Sequence, residues 1–301
     1  MPEPLVLLPG MMCDGRLYGP QIKSLGRDRA IHLAPISSHD TVEAMATEIL
    51  ASAPAEFALA GLSMGGIVAM EVVRRAPSRV TRLALMDTNA LSETPAYAAA
   101  REPQIARVLA GSLVDVIRED MSPDFLAPGP GRQAVLDLVM DMALEMGEGV
   151  YLRQSRALQR RPDQQGTLRK LKMPTLILCG EHDKLCPVSR HQFMSDLIMG
   201  AKLNVVPDAG HLPTLEQPEA VNAALKEDIA LGRFWRFCIR VDKLKNKRAD
   251  VIAPAFPCKN SVMACARLNV RCFLVVWKPS AEVQSCNALA WCGNIVLCAF
   301  N

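Results

Sequence analysis

The sequence predicts an α/β protein with a mostly parallel central sheet of about six strands, helices on both faces and a helical cap insertion. Three observations lead to this prediction. Short apolar runs alternate with helical patterns along residues 1–90 and again along residues 171–232, which we assign to the core. Residues 91–170 contain helical patterns without a convincing strand, and we assign them to the cap. The composition then changes, so residues 233–301 are treated as a separate tail.

Strands and helices alternate regularly in the first part of the core. Residues 5–8 (LVLL) form an apolar run that ends at Pro-Gly, as expected of a buried parallel strand. Successive parallel strands need a crossover, so each intervening helix should cover a face of the sheet. The other elements predicted here are a strand at 30–34, a helix at 41–52 capped by Asp40 or Thr41, a strand at 57–61, a helix at 65–76 and a strand at 82–87.

The alternation resumes after the insertion, whose helical patterns are clearest at 103–120 and 132–160. Because this insertion interrupts the core between two strands, we expect it to lie over one end of the sheet. The elements predicted after it are a strand at 175–180, a helix at 188–200, a strand at 202–207 and a helix at 218–231 that ends at Gly232.

The tail differs from the rest of the chain in charge and in residue types. Residues 233–301 carry eleven Lys and Arg but three Asp and Glu, so the net charge of +3 comes from this region. Seven of the ten cysteines and all three tryptophans also lie there. The tail shows no clear strand or helix alternation, and no paired C-x-x-C motif indicates zinc. We expect this Cys/Trp-rich basic tail to be poorly ordered. A metal-binding or nucleic-acid-binding module is the alternative.

Several classes of protein are disfavoured by the bulk properties. No stretch approaches the ~18 uninterrupted apolar residues of a membrane span. The N-terminal segment lacks a basic region before its short apolar run, so a signal peptide is not expected. The basic balance belongs to the tail and gives no indication of a nucleic-acid partner for the core. We therefore expect a cytoplasmic protein without membrane or nucleic-acid partners, and the sequence predicts no oligomeric state.

Residues 61–65 (G-L-S-M-G) carry the functional prediction. They follow one predicted strand and begin the next helix, so the chain must reverse direction within a few residues. Glycine on either side of Ser63 permits this close approach, which a Cβ atom would block. The Ser63 hydroxyl should then lie above the sheet at a helix N-terminus, where developing negative charge is favoured. An ordinary turn in which Ser63 caps the helix is the alternative.

Two further motifs follow at the ends of predicted strands. Residues 179–183 (C-G-E-H-D) have a proline shortly after them, and residues 209–211 (A-G-H) precede a helix that begins with proline. Together with the serine motif, they resemble the α/β-hydrolase superfamily, in particular its small capped serine esterases and lactonases. The resemblance covers residues 4–231. Many relatives begin with an antiparallel hairpin that is missing here, so we expect about six parallel strands in the order 2-1-3-4-5-6.

The resemblance implies that Ser63 is the nucleophile, His211 the base and Asp183 the supporting acid. A serine hydroxyl needs a base at neutral pH, and an imidazole can accept its proton and return it to the leaving group. The carboxylate would orient the imidazole and stabilise its cation. Asp87 and Asp208 stay as rival acids. The remaining histidines lack a comparable context and are interpreted as structural or surface residues: His32, His39, His182 and His191.

The resemblance also implies an oxyanion hole made of backbone N–H groups. One would come from Met64, directly after the nucleophile, and the other from Met11, in the loop after the first strand. Relatives often have His-Gly in that loop, whereas this chain has Pro9-Gly10. The glycine is therefore kept and the histidine is replaced.

The predicted activity is cleavage of a carboxylic ester of a small, fairly apolar substrate through an acyl-enzyme intermediate, without cofactor or metal. Met12, Met140 and Leu144 are candidate pocket residues, although cap residues of this kind also form the cap's own core. A lactonase, a thioesterase, a C–C hydrolase and a perhydrolase would use the same triad, and a non-catalytic ligand-binding protein is less favoured. Four cap arginines point either to an anionic substrate or to a solvated helix face: Arg153, Arg156, Arg160 and Arg161.

Overall fold

The first compact unit of the chain, Met1–Cys238, contains a six-stranded parallel sheet. The computed structural model describes residues 3–227 and, in the tail, the backbone of five strands between residues 256 and 298. The strands run in the order β2-β1-β3-β4-β5-β6, so the predicted strand order and fold class are confirmed. The strands of this sheet are β1 (Leu5–Leu8), β2 (Ile31–Leu33), β3 (Phe57–Leu62), β4 (Val80–Met86), β5 (Thr175–Gly180) and β6 (Lys202–Val206).

The helices occupy the connections between these strands. The predicted cap of the helix after β2 is Thr41, whose side chain accepts the N–H of Ala44. The helices are α1 (Gly19–Leu25), α2 (Val42–Ser52), α3 (Met64–Arg75), α4 (Pro95–Leu109), α5 (Leu113–Asp120), α6 (Arg132–Gln159), α7 (Gln165–Leu168), α8 (Val188–Leu197), α9 (Pro213–Glu216) and α10 (218–227).

The central strands β1, β3 and β5 are almost wholly apolar and buried because both faces of the sheet are covered. In β1, Val6 and Leu8 pack into one hydrophobic cluster, whereas Leu5 and Leu7 pack into another. Residues of α2, α3 and α8 contribute to the first cluster, and residues of α1 and α10 contribute to the second. The side chains of β3, β4 and β5 alternate between the clusters in the same way. Helices therefore cover both faces, and the ends of the strands are left for polar side chains.

The insertion between β4 and β5 is helical, as expected, but its elements differ in detail from the prediction. The helical pattern at 103–120 is divided, because Gly111 has a φ of 86° and separates α4 from α5. The long helix α6 is also interrupted, since Gly147 has φ 76° and ψ 175° within it. The three helices share an apolar cluster to which the loop after β1 contributes Met12.

The second compact unit, Ile239–Asn301, contains a five-stranded sheet in the order β10-β11-β9-β8-β7. The sequence analysis found no clear strand or helix alternation in this region, whereas the described segments form strands. The segment at 271–277 is rich in β-branched and aromatic residues, which favour strands. We expected the tail to be poorly ordered. Most of its residues lie outside the described ones, so this expectation stays a prediction. The strands are β7 (Phe256–Cys258), β8 (Ser261–Leu268), β9 (Arg271–Trp277), β10 (Leu289–Cys292) and β11 (Ile295–Cys298).

Within the part of the chain that the structure describes, no helix is both long and apolar enough to cross a membrane. The longest helix, α6, has 28 residues but carries charged side chains along its length. The expected cytoplasmic location stays a prediction.

Candidate active site

Ser63 lies in a strained turn between β3 and α3. Its φ of 53° and ψ of −117° fall in a region that residues with a Cβ rarely adopt. The backbone around it is fixed by hydrogen bonds: its N–H donates to the Met86 carbonyl at 2.9 Å, and its carbonyl accepts the Thr88 hydroxyl at 2.7 Å. The Ser63 side chain makes no capping bond to the helix, so the interpretation of Ser63 as a simple helix cap is wrong.

The glycines on either side of Ser63 are required by close backbone contacts. A Cβ atom on Gly61 would collide with the carbonyl group of Gly65. A Cβ atom on Gly65 would collide with the carbonyl oxygens of Leu8 and Pro9 at the end of β1. The serine turn is therefore packed directly against the loop that follows β1, as the motif predicts.

The three residues of the predicted triad meet at the carboxyl end of the sheet. His211 Nε2 lies 3.0 Å from the Ser63 hydroxyl oxygen, and His211 Nδ1 lies 2.8 Å from Asp183 Oδ2. With the proton on Nδ1 donated to the carboxylate, Nε2 is the nitrogen that can accept the serine proton. The backbone N–H of His211 donates to the Phe125 carbonyl at 2.7 Å, which ties the histidine loop to the insertion. His211 and Asp183 are both buried.

The Asp183 carboxylate is held by backbone groups of its own loop. Its Oδ1 accepts the N–H groups of Leu185 and Cys186, each at 2.8 Å. Burial by itself raises the pKa of Asp183. The charge and hydrogen bond of His211, together with the Cys186 N–H, outweigh burial, so the pKa lies below its ordinary value. Asp183 is therefore ionised where it accepts the imidazole N–H.

The rival acids are not placed to orient the imidazole. Asp87 is fully buried at the end of β4, but His211 Nδ1 makes its hydrogen bond to Asp183. Asp208 is exposed and adopts a φ of 53° in the turn after β6. Of the three carboxylates considered, Asp183 alone has a hydrogen bond to the imidazole.

Glu216 fixes the loop that carries His211, and the sequence analysis did not identify it. Its Oε2 accepts the N–H of Gly210 at 2.9 Å and that of Ala127 at 2.7 Å. Its Oε1 accepts the N–H of Leu212 at 2.9 Å. The carboxylate thus binds the backbone on both sides of His211 and also a segment of the insertion. Its position five residues after the histidine was the only available signal.

The loop after β1 is anchored by a buried glutamine from the insertion. Gln154 accepts the N–H of Met12 at 2.9 Å and donates to the Ile36 carbonyl at 3.1 Å. Met12 has a φ of 54°, so this bond holds a strained residue. Among the described residues, the N–H groups of Met11 and Met64 find no hydrogen-bond acceptor. Both are therefore available to an oxygen atom above Ser63.

His191 connects the acid loop to the serine turn through buried hydrogen bonds. Its Nδ1–H donates to the Pro187 carbonyl at 3.2 Å, and its Nε2 accepts the Thr88 N–H at 3.0 Å. The Thr88 hydroxyl in turn binds the Ser63 carbonyl. Burial lowers the pKa of His191 to about 4, so the ring is neutral at physiological pH. This agrees with its interpretation as a structural histidine.

The candidate pocket residues have different environments. Met12 is buried in the apolar cluster of the insertion, and Met140 packs against the same cluster with partial exposure. Leu144 is 43% exposed and belongs to none of the apolar clusters among the described residues. A pocket role for these residues stays a prediction. The four cap arginines all bind protein groups: Arg153 the Ser37 carbonyl, Arg156 Glu102, Arg160 Asp40 and Arg161 Glu93.

One group of side chains has the spacing of a metal site. Ligand atoms of Asp183, Cys186 and His211 lie within 4.8 Å of one another. However, the carboxylate and the imidazole are hydrogen-bonded to each other, and burial raises the pKa of the Cys186 thiol. A metal ion would require the thiolate form of Cys186, which the raised pKa disfavours. These three side chains therefore fit a hydrogen-bonded catalytic site better than a metal site.

The model of the alpha/beta hydrolase family matches residues 5–224. The chain belongs to the alpha/beta hydrolase family. The predicted superfamily is thereby confirmed. A pimeloyl-[acyl-carrier protein] methyl ester esterase of Aromatoleum aromaticum is 29% identical to this hydrolase over 206 residues, covering 64% of this chain and 81% of the relative. An esterase of the same name from Neisseria meningitidis is 26% identical over 207 residues, covering 66% and 79%.

Solved structures resemble the hydrolase over the same region. A thermophilic esterase from Thermogutta terrifontis superimposes with a TM-score of 0.70 at 28% identity, covering 76% of this chain and 90% of that one. The enol-lactonase of Burkholderia xenovorans gives a TM-score of 0.69 at 19% identity, covering 76% and 92%. The second likeness concerns the fold alone.

Proposed function

We propose that this hydrolase cleaves the carboxylic ester of a small, fairly apolar substrate through an acyl-enzyme intermediate on Ser63. The observation that carries the proposal is the continuous hydrogen-bonded series from Asp183 through His211 to the Ser63 hydroxyl, with distances of 2.8 and 3.0 Å. A nucleophile, a base and an orienting acid within hydrogen-bond reach are the requirements for nucleophilic acyl transfer.

In the acylation step, Ser63 Oγ forms a bond to the ester carbonyl carbon while its proton passes to His211 Nε2. The resulting imidazolium is stabilised by Asp183, which lies against the opposite nitrogen. Collapse of the tetrahedral intermediate breaks the carbon–oxygen bond to the alcohol. The proton held by His211 passes to that oxygen, so the alcohol leaves neutral.

The carbonyl oxygen becomes negatively charged during this step. We assign its stabilisation to the N–H groups of Met64, at the first turn of α3, and Met11, in the loop held by Gln154. A donor of this kind typically contributes ~3–4 kcal/mol to the transition state. Their lack of other acceptors among the described residues supports this assignment.

Deacylation repeats the same chemistry with water as the nucleophile. His211 accepts a proton from water as the oxygen attacks the acyl carbon, and then returns it to Ser63 Oγ as the acid product leaves. One water is consumed, and one acid and one alcohol are formed. The burial of His211 and Asp183 keeps competing hydrogen-bond partners away from the proton path.

The names of the relatives support a proposal for the substrate class. Several matched proteins are named as esterases of pimeloyl-[acyl-carrier protein] methyl ester, and the Thermogutta terrifontis structure is an esterase. We therefore propose methyl esters of medium-length acyl chains as the first substrates to test. We assign the acyl chain to the apolar side of the insertion near Met140, which packs against the apolar cluster with partial exposure and would accept such chains rather than charged ones.

The test is hydrolysis of p-nitrophenyl acetate and butyrate by the wild type and by Ser63→Ala. The wild type should give a burst of nitrophenol, and the variant should lose at least about 10³-fold in kcat. Ser52→Ala is the matched control, because Ser52 is exposed and its hydroxyl binds only carbonyls of its own helix. Equal rates for the wild type and Ser63→Ala would reject the proposal.

A panel of substrates then separates the related activities. Methyl esters, lactones, thioesters and C–C bonds beside a carbonyl group would all use the same triad. The proposal requires the highest kcat/KM for an open-chain ester. A protein that binds these compounds but releases no product from any of them would instead be a ligand-binding protein on a hydrolase scaffold.

A further inference from the structure

A second carboxyl group lies beside the acid of the triad. Asp87 directly follows β4, is fully buried and has a φ of 43°. Its N–H donates to the Leu178 carbonyl of β5 at 3.0 Å. This bond places Asp87 near the start of the loop that carries Asp183. Its Oδ1 accepts the N–H of Gly180 at 2.9 Å. Its Oδ2 is buried and receives no hydrogen bond from an N–H or O–H group of the described residues.

The two carboxyl groups interact: the charge of Asp183 and a side-chain hydrogen bond to it raise the pKa of Asp87, whereas the same hydrogen bond lowers the pKa of Asp183. Two ionised carboxylates in contact repel each other strongly in a buried site, and neither can donate a hydrogen bond. A single proton on one of them removes the repulsion and creates the missing donor. The question is which carboxyl group holds the proton.

The donors around each group decide this. Asp183 accepts hydrogen bonds from Leu185, Cys186 and His211, all of which favour its charged form. Among the described residues, Asp87 accepts only the Gly180 N–H, and it is completely shielded from water. The proton therefore belongs on Asp87, and the unsatisfied Oδ2 is the atom that carries it.

We propose that Asp87 is a positioning residue for Asp183, to which it donates a hydrogen bond from a protonated Oδ2. This inference rests on the proposed role of Asp183 in the reaction. The site then carries one negative charge facing His211 instead of two. Asp183 is held by four donors, which fix the carboxylate that orients the imidazole.

The surroundings of Asp87 agree with a neutral carboxyl group. Burial raises the pKa of Asp87 well above its ordinary range, and the charge of Asp183 raises it further. Glu216 acts in the same direction from the loop of the histidine. Among the described residues, the other titratable groups that respond to its charge are Tyr18, Cys179 and Cys186, and burial raises the pKa of all three. None of them is a cation that would favour an ionised Asp87.

The test compares Asp87→Asn with Asp87→Val in the full-length chain. An asparagine has the shape of a protonated aspartate: its oxygen can accept the Gly180 N–H and its amide can donate to Asp183. We expect Asp87→Asn to keep kcat/KM within about threefold and to leave the midpoint of the acid limb of its pH profile within about 0.3 pH. Asp87→Val lacks the donor and should lower kcat about 10-fold with little change in KM.

A spectroscopic readout is independent of activity. The infrared spectrum of the wild type at pH 8 should contain the C=O stretch of a buried carboxylic acid, and Asp87→Asn should lack it. An ionised Asp87 would give no such band. It would also mean that Asp87→Asn removes a negative charge near His211, which would lower the acid-limb midpoint by about one pH or more. Either result overturns the proposal.

The same measurements separate this proposal from the proposed function. If Ser63→Ala hydrolyses p-nitrophenyl esters as fast as the wild type, the triad chemistry fails, but the infrared band still reports whether Asp87 is protonated. If Asp87→Val does not fold, its thermal unfolding curve will show this. The pH profile of Asp87→Asn and the infrared spectrum then decide whether Asp87 is protonated.

Discussion

Gln154 accepts a 2.9 Å hydrogen bond from the backbone N–H of Met12, although 142 residues separate the two along the chain. The bond joins the insertion to the loop that holds the proposed oxyanion donor Met11. A second bond from Gln154 to the Ile36 carbonyl fixes the orientation of the amide. The geometry of the chemical step therefore depends on a residue of the insertion that has no part in the triad.

From this relationship we expect Gln154→Leu to lower kcat about 10-fold, less than the ~10²–10³-fold loss caused by removing an oxyanion donor outright. KM should change little, because the affected group acts on the transition state. Gln159→Leu is the matched control, since Gln159 lies in the same helix and binds Ala98 and Glu102 away from the site. Steady-state kinetics of both variants provide the measurement. An equal loss in the control would contradict the prediction.

The carboxylate of Glu216 supports the histidine loop, so Glu216→Gln should impair catalysis. A glutamine offers one acceptor oxygen in place of two. Its NH2 group would face a backbone N–H, and two donors cannot form a hydrogen bond with each other. We expect kcat to fall about 10-fold and the melting temperature to fall by a few degrees. Glu227→Gln, which removes only an exposed pair with Lys202, should leave both values unchanged. A Glu216→Gln enzyme with wild-type kcat would show that His211 is held sufficiently by other contacts.

His191 should make folding stability sensitive to acid. Its pKa is about 4 in the folded protein, against an ordinary value of 6.5. As the pH falls from 6.5 to 4, the unfolded chain binds a proton that the folded protein does not, so stability is lost over this window and is fully present above it. The loss attributable to this group is at most about 3 kcal/mol.

His191→Gln should remove this part of the pH dependence while keeping an acceptor for the Thr88 N–H. The measurement is the free energy of unfolding by urea at several pH values between 4 and 7.5 for wild type, His191→Gln and the exposed control His39→Gln. The gap between wild type and His191→Gln should change by about 2–3 kcal/mol across the window. A gap that is independent of pH would rule out the buried neutral histidine.

A chain that ends at residue 232 should keep its esterase activity. The family model ends at residue 224, and Ser63, Asp183 and His211 all lie before that point. Among the described residues, the hydrogen bonds that fix these three side chains and their loops all join residues no later than 217. We expect kcat/KM for p-nitrophenyl butyrate within about twofold of the full-length value. A shortened protein that is folded by circular dichroism but inactive would assign the tail a role in catalysis.

The parts of the fold that local patterns determine could be predicted. A strand buried on both faces needs a continuous apolar run, which is how β1 and β3 were identified. The serine turn requires Gly61 and Gly65 for steric reasons, and this requirement is visible in a single pentapeptide. The acid and the histidine were assigned through motifs at strand ends, and the distances of 2.8 and 3.0 Å bring these residues together as expected.

The supporting residues could not be predicted, because their partners are remote in sequence. Gln154 lies in the middle of a helix and has no pattern that distinguishes it from a surface glutamine. His191 and Asp87 are buried by residues that are distant from them in sequence, so no short segment of the sequence reveals their burial. The break at Gly147 was also missed, since an isolated glycine in a helical pattern is usually tolerated. Sequence periodicity indicates which face of an element is buried, but not which polar groups meet there.

The break at Gly147 divides α6 into two segments with separate attachments. Before it, Glu145 pairs with Arg16 at the surface, and Met142 contacts the backbone of Asp14. After it, Gln154 supports the loop beside the nucleophile. Buried residues of the two segments share one apolar cluster, to which Ala143 belongs before the break and Val150 and Tyr151 after it. An effort to broaden the substrate range by directed evolution should therefore begin at exposed positions among residues 132–146, such as Leu144, and leave 148–159 unchanged.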